Sequence, residues 1–166
     1  MTCSMTRIGI SGHQSRPGID WEWTGDRITD VLIERAPIAR AFSCLAAGSD
    51  QIFAQRVLAV DIPVTAVIPL PRYERFFKEE NLAAYEALLA RCEAILLPGS
   101  DDSQRAFFDA GLYVVDSVDL LVAVWDGRPA AGLGGTADVV GYCISRKRPV
   151  IHINPIDRTV CTVGPT

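Results

Sequence analysis

Lysine is scarce in this chain: among 166 residues only Lys78 and Lys147 carry an ammonium group, and neither has a glycine-rich phosphate site beside it. Pyridoxal chemistry needs a lysine for its Schiff base, so that class is argued against. Long hydrophobic runs are also missing. None approaches the roughly 18 apolar residues of a membrane helix, and no membrane partner is expected. Positive charge is in deficit, 16 Lys and Arg against 20 Asp and Glu, giving a net charge of −4 and a pI near 5.1. Binders of extended nucleic acid normally show a basic face, so that partner is not expected either. The five cysteines (Cys3, Cys44, Cys92, Cys143, Cys161) are odd in number and scattered, with no CxxC pair and no Cys/His cluster at zinc-site spacing. They read mostly as small core residues in a reducing compartment, and neither a metal nor a cofactor is expected. The start, "MTCSMTRIGISGHQ", lacks the basic-then-apolar build of a signal peptide, and a cytoplasmic location is expected.

What is abundant is apolar content, 49% with a mean hydropathy of +0.19. That suits a sheet covered on both faces, whose strands are apolar throughout. The length fits one domain over 1–166, able to bury roughly two-thirds of its unfolded surface. Short β-rich runs at 7–12, 41–48, 63–70, 93–99, 119–125 and 149–155 alternate with helical stretches, and "TVCTVG" offers a short edge strand. The helices are expected over 27–40 (ending near Pro37), from Ser49 to about Val60, in "LAAYEALLARC", from Ser100 to a stop at Gly111, and after Gly135. The stretch "RYERFFKEEN" reads as polar, and its "FFKEE" as the solvated approach to an amphipathic helix, without chemistry. This alternation predicts a single-domain α/β, Rossmann-like fold: a doubly wound, mostly parallel sheet of six to seven strands with helices on both faces. Ligands of such sheets bind beyond the carboxyl ends of the strands, near the point where strand order reverses.

The loops after the strands therefore hold the candidates. "WDGRPAAGLGGTADVV" places four glycines between strand and helix. Gly134, Gly135 and Thr136 would bring backbone N–H groups and a helix N-terminus to a phosphate, with Asp138 in the first turn. The plainer reading is a turn with a threonine cap. The run matches neither the P-loop, since no Gly-Lys-Ser/Thr follows, nor the dinucleotide fingerprint. Ser11 and Gly12 could offer a hydroxyl and an amide, and His13 a contact to phosphate or base, or a solvent-facing side chain in a helix-entry turn. Gly48, Ser49 and Asp50 stand at the next turn, with Asp50 either holding ribose hydroxyls or capping a helix. Trp125, Asp126 and Gly127 close a strand, as a base stack and sugar contact or as an edge cover and an Asp-Gly turn. His152, inside an apolar strand, reads as a satisfied core histidine.

Taken in order, "GISGHQ", "AAGSDQIFAQRVL", "VIPLPRYERFF", "YVVDSVDLLVAVWDG" and "GLGGTADVVGYCISRKRPVIHINP" resemble the SLOG superfamily over about residues 7–155. This superfamily groups the Rossmann-like domains of DNA-processing protein A, the Lonely-guy phosphoribohydrolases and many nucleotide-sensing domains. The resemblance implies binding of a nucleotide or nucleotide derivative through the glycine-rich loops, often in a homodimer. The Lonely-guy enzymes carry Pro-Gly-Gly-x-Gly-Thr-x-x-Glu and an Arg-Lys pair on the preceding helix. Here Trp125, Asp126 and Gly127 stand for Pro-Gly-Gly, Asp138 lies near the family's acid but one methylene shorter, and Ala110-Gly111 occupy the Arg-Lys position. Glycosidic cleavage needs an acid or base and stabilisation of an oxocarbenium-like sugar. Asp138, with Arg105 or Arg72 gripping the phosphate, would have to carry it. Three expectations stand: a nucleotide-binding protein, a monophosphate phosphoribohydrolase, or a non-catalytic dimeric interaction domain.

Overall fold

The computed structural model describes residues 4–130 and 132–165. Its elements, in chain order, are β1 (Thr6–Gly12), α1 (Trp21–Glu34), β2 (Ile38–Ser43), α2 (Ser49–Ala59), β3 (Val64–Ile68), a 3-10 turn (Tyr73–Phe76), α3 (Glu79–Leu89), β4 (Glu93–Leu96), α4 (Ser103–Ser117), β5 (Leu120–Val124), α5 (Thr136–Ser145), β6 (Val150–Asn154) and β7 (Thr159–Val163). They form one seven-stranded sheet in the order β4-β3-β2-β1-β5-β6-β7. All pairings are parallel except β6 with β7, the expected edge strand. The chain steps outward from β1 to β4, crosses back through α4, and continues from β5 on the other side of β1. Strand order therefore reverses between β1 and β5, where a doubly wound sheet leaves a crevice.

Both faces of the sheet's centre are covered, which is why β3 and β5 are buried along their whole length. Along β5, Leu120, Val122 and Val124 join the core beneath α1, α2 and α3, while Leu121 and Ala123 join the core beneath α4 and α5. The alternation is the two-residue period of a strand with no solvated side.

Several boundaries differ from the sequence reading. The first helix starts at Trp21, not residue 27, because Asp20 caps it, its Oδ1 accepting from Trp23 N at 3.0 Å. It ends at Glu34, and β2 begins at Ile38, directly after Pro37, three residues before the expected strand. Gly111 does not stop α4, which runs on to Ser117. A Cβ at Gly111 would sit 2.9 Å from Val139 Cγ2 of α5. Its role is thus to let two helices approach, the alternative use of a glycine in a helical stretch.

Of the four described cysteines, all free, Cys143 is buried, Cys44 and Cys92 are half-buried, and Cys161 is exposed on β7. Cys161 departs from the expected core role, and Cys3 lies outside the described residues. No helix of the described residues is long and apolar enough to cross a membrane.

Candidate functional site

A cleft of about 650 Å³ opens at the carboxyl end of the sheet, over the β1/β5 reversal. The loop after β1 and the loop entering α5 both line it, so Ser11, Gly12 and His13 share one space with Gly134, Gly135 and Thr136. Asp50, Trp125 and Asp126 line it as well. The loops converge because each follows a parallel strand, and parallel strands deliver their exits to one edge.

At the reversal point, His13 N donates to Val124 O at 2.9 Å, fixing the β1 exit to the β5 exit. The His13 Nε2 lies 3.5 Å from Asp126 Oδ1 and accepts from Asp126 N at 3.3 Å. Burial pushes the His13 pKa below the ordinary 6.5, with Asp126 opposing and Arg16 adding to the fall. Desolvation would raise Asp126, but the Arg128 amide, His13 and Arg16 together hold it below the ordinary carboxylate value. Asp126 is thus an anion beside a mostly neutral imidazole at neutral pH, suited to accept hydrogen bonds from hydroxyls.

The other members of the predicted set support the loops from behind. Gly48 has φ +78°, and a Cβ there would run into the Gln14 carbonyl. Ser49 Oγ donates to His13 O at 2.7 Å and its amide to the same carbonyl at 3.2 Å. Together they pin the β1 loop rather than face the cleft. Gly127 has φ +81° in an Asp-Gly turn closed by Arg128 N donating to Asp126 Oδ1 at 3.0 Å. Trp125 Nε1 donates to Arg128 O at 2.8 Å, and its ring packs on His152 with centroids 4.2 Å apart. His152 Nε2 is satisfied by Trp125 O at 2.8 Å.

Besides Gly48, Ser49 and Gly127, three further predicted residues lie outside the lining. Asp138 is exposed and its Oδ2 accepts from Gly134 N at 3.1 Å, so it closes the glycine loop on itself. Arg105 is exposed and paired with Asp109 at 3.0 Å, one turn along its own helix. Arg72 is exposed in a left-handed conformation ahead of the 3-10 turn. Thr136 opens α5 but the cap position is Gly135, and no side chain caps the helix. The first amides of α5 have no intrahelical partner by construction.

The sequence reading missed one wall. Tyr73, Phe76 and Phe77, from the stretch read as polar, line the cleft with Phe107 of α4. They form an edge-to-face cluster, Tyr73 to Phe77 at 5.0 Å and Phe76 to Phe107 at 5.1 Å between centroids. The available signal was aromatic density immediately beyond the carboxyl end of β3. Also missed were the cations around the mouth, Arg16, Lys78 and Arg128, all exposed.

Asp50 is the unusual group. It is only 7% exposed, and its Oδ2 takes one hydrogen bond, from Ala46 N at 3.3 Å. Burial raises its pKa from 3.8 to about 7, against the pull of that amide. Cys44 and Tyr73 lie close enough to feel its charge, and burial raises both of them far above their ordinary values.

No protein-family model matches the sequence, and no curated protein matches it. Solved structures do match the fold. DNA processing protein A from Streptococcus pneumoniae superposes with a TM-score of 0.63 at 14% identity, over 90% of this chain and 50% of that one. The molybdenum cofactor binding protein from Rippkaea orientalis gives 0.56 at 16% identity, over 91% and 77% of the two chains. The Moco carrier protein from Chlamydomonas reinhardtii gives 0.55 at 16% identity, over 90% and 76%. The chain thus spans half the length of the DNA processing protein A structure, and it shares with all three a Rossmann-like α/β fold.

Proposed function

We propose that the cleft binds a small phosphate-bearing ligand of the nucleotide type. The observation that carries this reading is the meeting of two loops, Ser11–His13 and Gly134–Thr136, on one cleft at the strand-order reversal. The phosphate sits on the opening amides of α5, where orphan donors and the helix dipole both favour an anion. Arg16, Lys78 and Arg128 at the mouth attract it. Asp126, held ionised beside His13, takes the sugar hydroxyls. A heterocycle then reaches the wall of Tyr73, Phe76, Phe77 and Phe107. Trp125 borders the ligand but stays on His152, and does not supply the base stack. Two proteins of like fold are described as binding or carrying the molybdenum cofactor, which supports a small ligand as the class.

The test is a thermal-shift and calorimetric screen of mononucleotides, cyclic nucleotides and ADP-ribose derivatives at millimolar concentration. A ligand present at 100 times its Kd stabilises by about 2.7 kcal/mol, so even modest affinity is visible. A screen in which no compound raises the melting temperature would refute the reading.

A further inference from the structure

The cleft floor holds a carboxylic acid that the protein itself leaves nearly unpartnered. Asp50 lies in the first turn of α2, 93% shielded, and lines the cleft. It takes one hydrogen bond, from Ala46 N at 3.3 Å, and joins no ion pair among the described residues. A buried carboxylate is costly unless it is matched by donors or by opposite charge. The neighbouring side chains do not supply them: Cys44 and Tyr73 are the titratable groups packed around it, and burial keeps both neutral. Its remaining acceptor capacity faces whatever fills the cleft, water or ligand.

The surroundings narrow what that is. Tyr73, 5% exposed, stands beside Asp50, with Phe77, Phe76 and Phe107 continuing the same wall. Aromatic faces and edges favour a flat ring in offset or edge-on contact. A carboxylate next to such a ring is best satisfied by two adjacent, coplanar N–H donors, one per oxygen, the geometry that makes bidentate pairs strong.

Resting on the ligand reading above, we infer that Asp50 selects the heterocycle, accepting a ring N–H and an exocyclic amine from a 2-amino-4-oxo ring. Guanine carries that edge, and so does a pterin. Hypoxanthine offers the ring N–H alone. Adenine presents a ring lone pair where the carboxylate needs a donor. Unpaired buried groups are the means by which sites reject analogues, so the preference is expected to be large. Asp50 would thus be a specificity residue at the base end, separate from the phosphate amides of α5.

Calorimetric titrations of the full chain with GMP, 6-hydroxymethylpterin phosphate, IMP and AMP at pH 8 test it. GMP or the pterin ester should bind at least about tenfold tighter than AMP, with IMP between them. Whichever of the two binds tighter identifies the source of the shared edge. In Asp50→Asn the preference should collapse to within about threefold, because the amide offers one acceptor and one donor. A thermal melt of the variant checks that it folds. The ligand series on the unaltered chain decides the matter alone if it does not. Equal binding of all four compounds would leave the ligand reading standing and overturn base selection. No binding by any of them would overturn base selection, while the wider ligand screen decides the ligand reading separately. Retention of the preference in folded Asp50→Asn would overturn the role of this residue.

Discussion

Replacing Asp50 by asparagine should stabilise the protein, and increasingly so as pH rises. In the unfolded chain the carboxyl ionises near 3.8, whereas in the fold burial holds it protonated to about 7. Below the first value both states carry the proton and the group has no effect. Between the two values the unfolded state releases its proton and the folded state does not, so the folded state binds more protons and stability falls with pH. Above about 7 both are ionised and the full penalty remains. About three pH units at ~1.4 kcal/mol each put that penalty on the order of 4 kcal/mol. Asparagine never ionises, and its carbonyl can still accept from Ala46 N, so the variant escapes the penalty. Urea unfolding of both proteins from pH 4 to pH 8 measures the difference directly. The two should be nearly equal at pH 4 and separated by roughly 2–4 kcal/mol at pH 8, a shift of roughly 5–15 °C in melting temperature for a chain this size. A stability difference that does not change with pH would refute the burial argument. A residue that weakens its own fold at neutral pH is what a functional site leaves behind.

Gly48→Ala should cost about 2 kcal/mol or more and loosen the β1 loop, since it combines a positive φ with a collision against the Gln14 backbone. Denaturant melts and amide exchange at residues 13–16 would register it. Ser49→Ala removes the Oγ bond to His13 O and should cost about 1 kcal/mol, read from the same melts. Asp126→Asn should lower the His13 pKa further, because the carboxylate is the group opposing its fall; an NMR titration of the imidazole measures this. Arg105→Ala and Asp138→Asn should leave ligand affinity within about threefold of wild type, as neither side chain lines the cleft, whereas loss of binding in either would reverse that placement.

The architecture was legible because it rests on local chemistry. Continuous apolar strands alternating with amphipathic helices admit few arrangements other than a doubly wound sheet, and the loops after β1 and β5 were marked by glycine and small polar residues. Where the boundaries were misread, a short-range signal had two meanings. Gly111 looks like a helix stop until α5 is seen pressing against it, and Asp20 looks like loop until Trp23 N reaches its carboxylate.

Which residues face one another could not be read along the chain. Asp138 and Arg105 were chosen for charge and spacing, but whether a charge meets a ligand or a neighbour depends on the direction of its side chain; Asp138 turns back to the glycine loop ahead of its helix and Arg105 to Asp109 on its own helix. Gly48 and Ser49 proved to be braces, because their contacts lie 36 residues or so upstream. Asp50 reads in sequence as a ribose contact or a helix cap; only the closure of α2, Cys44 and Tyr73 around it raises its pKa above an ordinary acid's. Composition and periodicity thus determined the sheet and the edge at which its cleft opens. Burial, which is a property of everything brought near a group and of nothing in its own identity, decided what each side chain there can do.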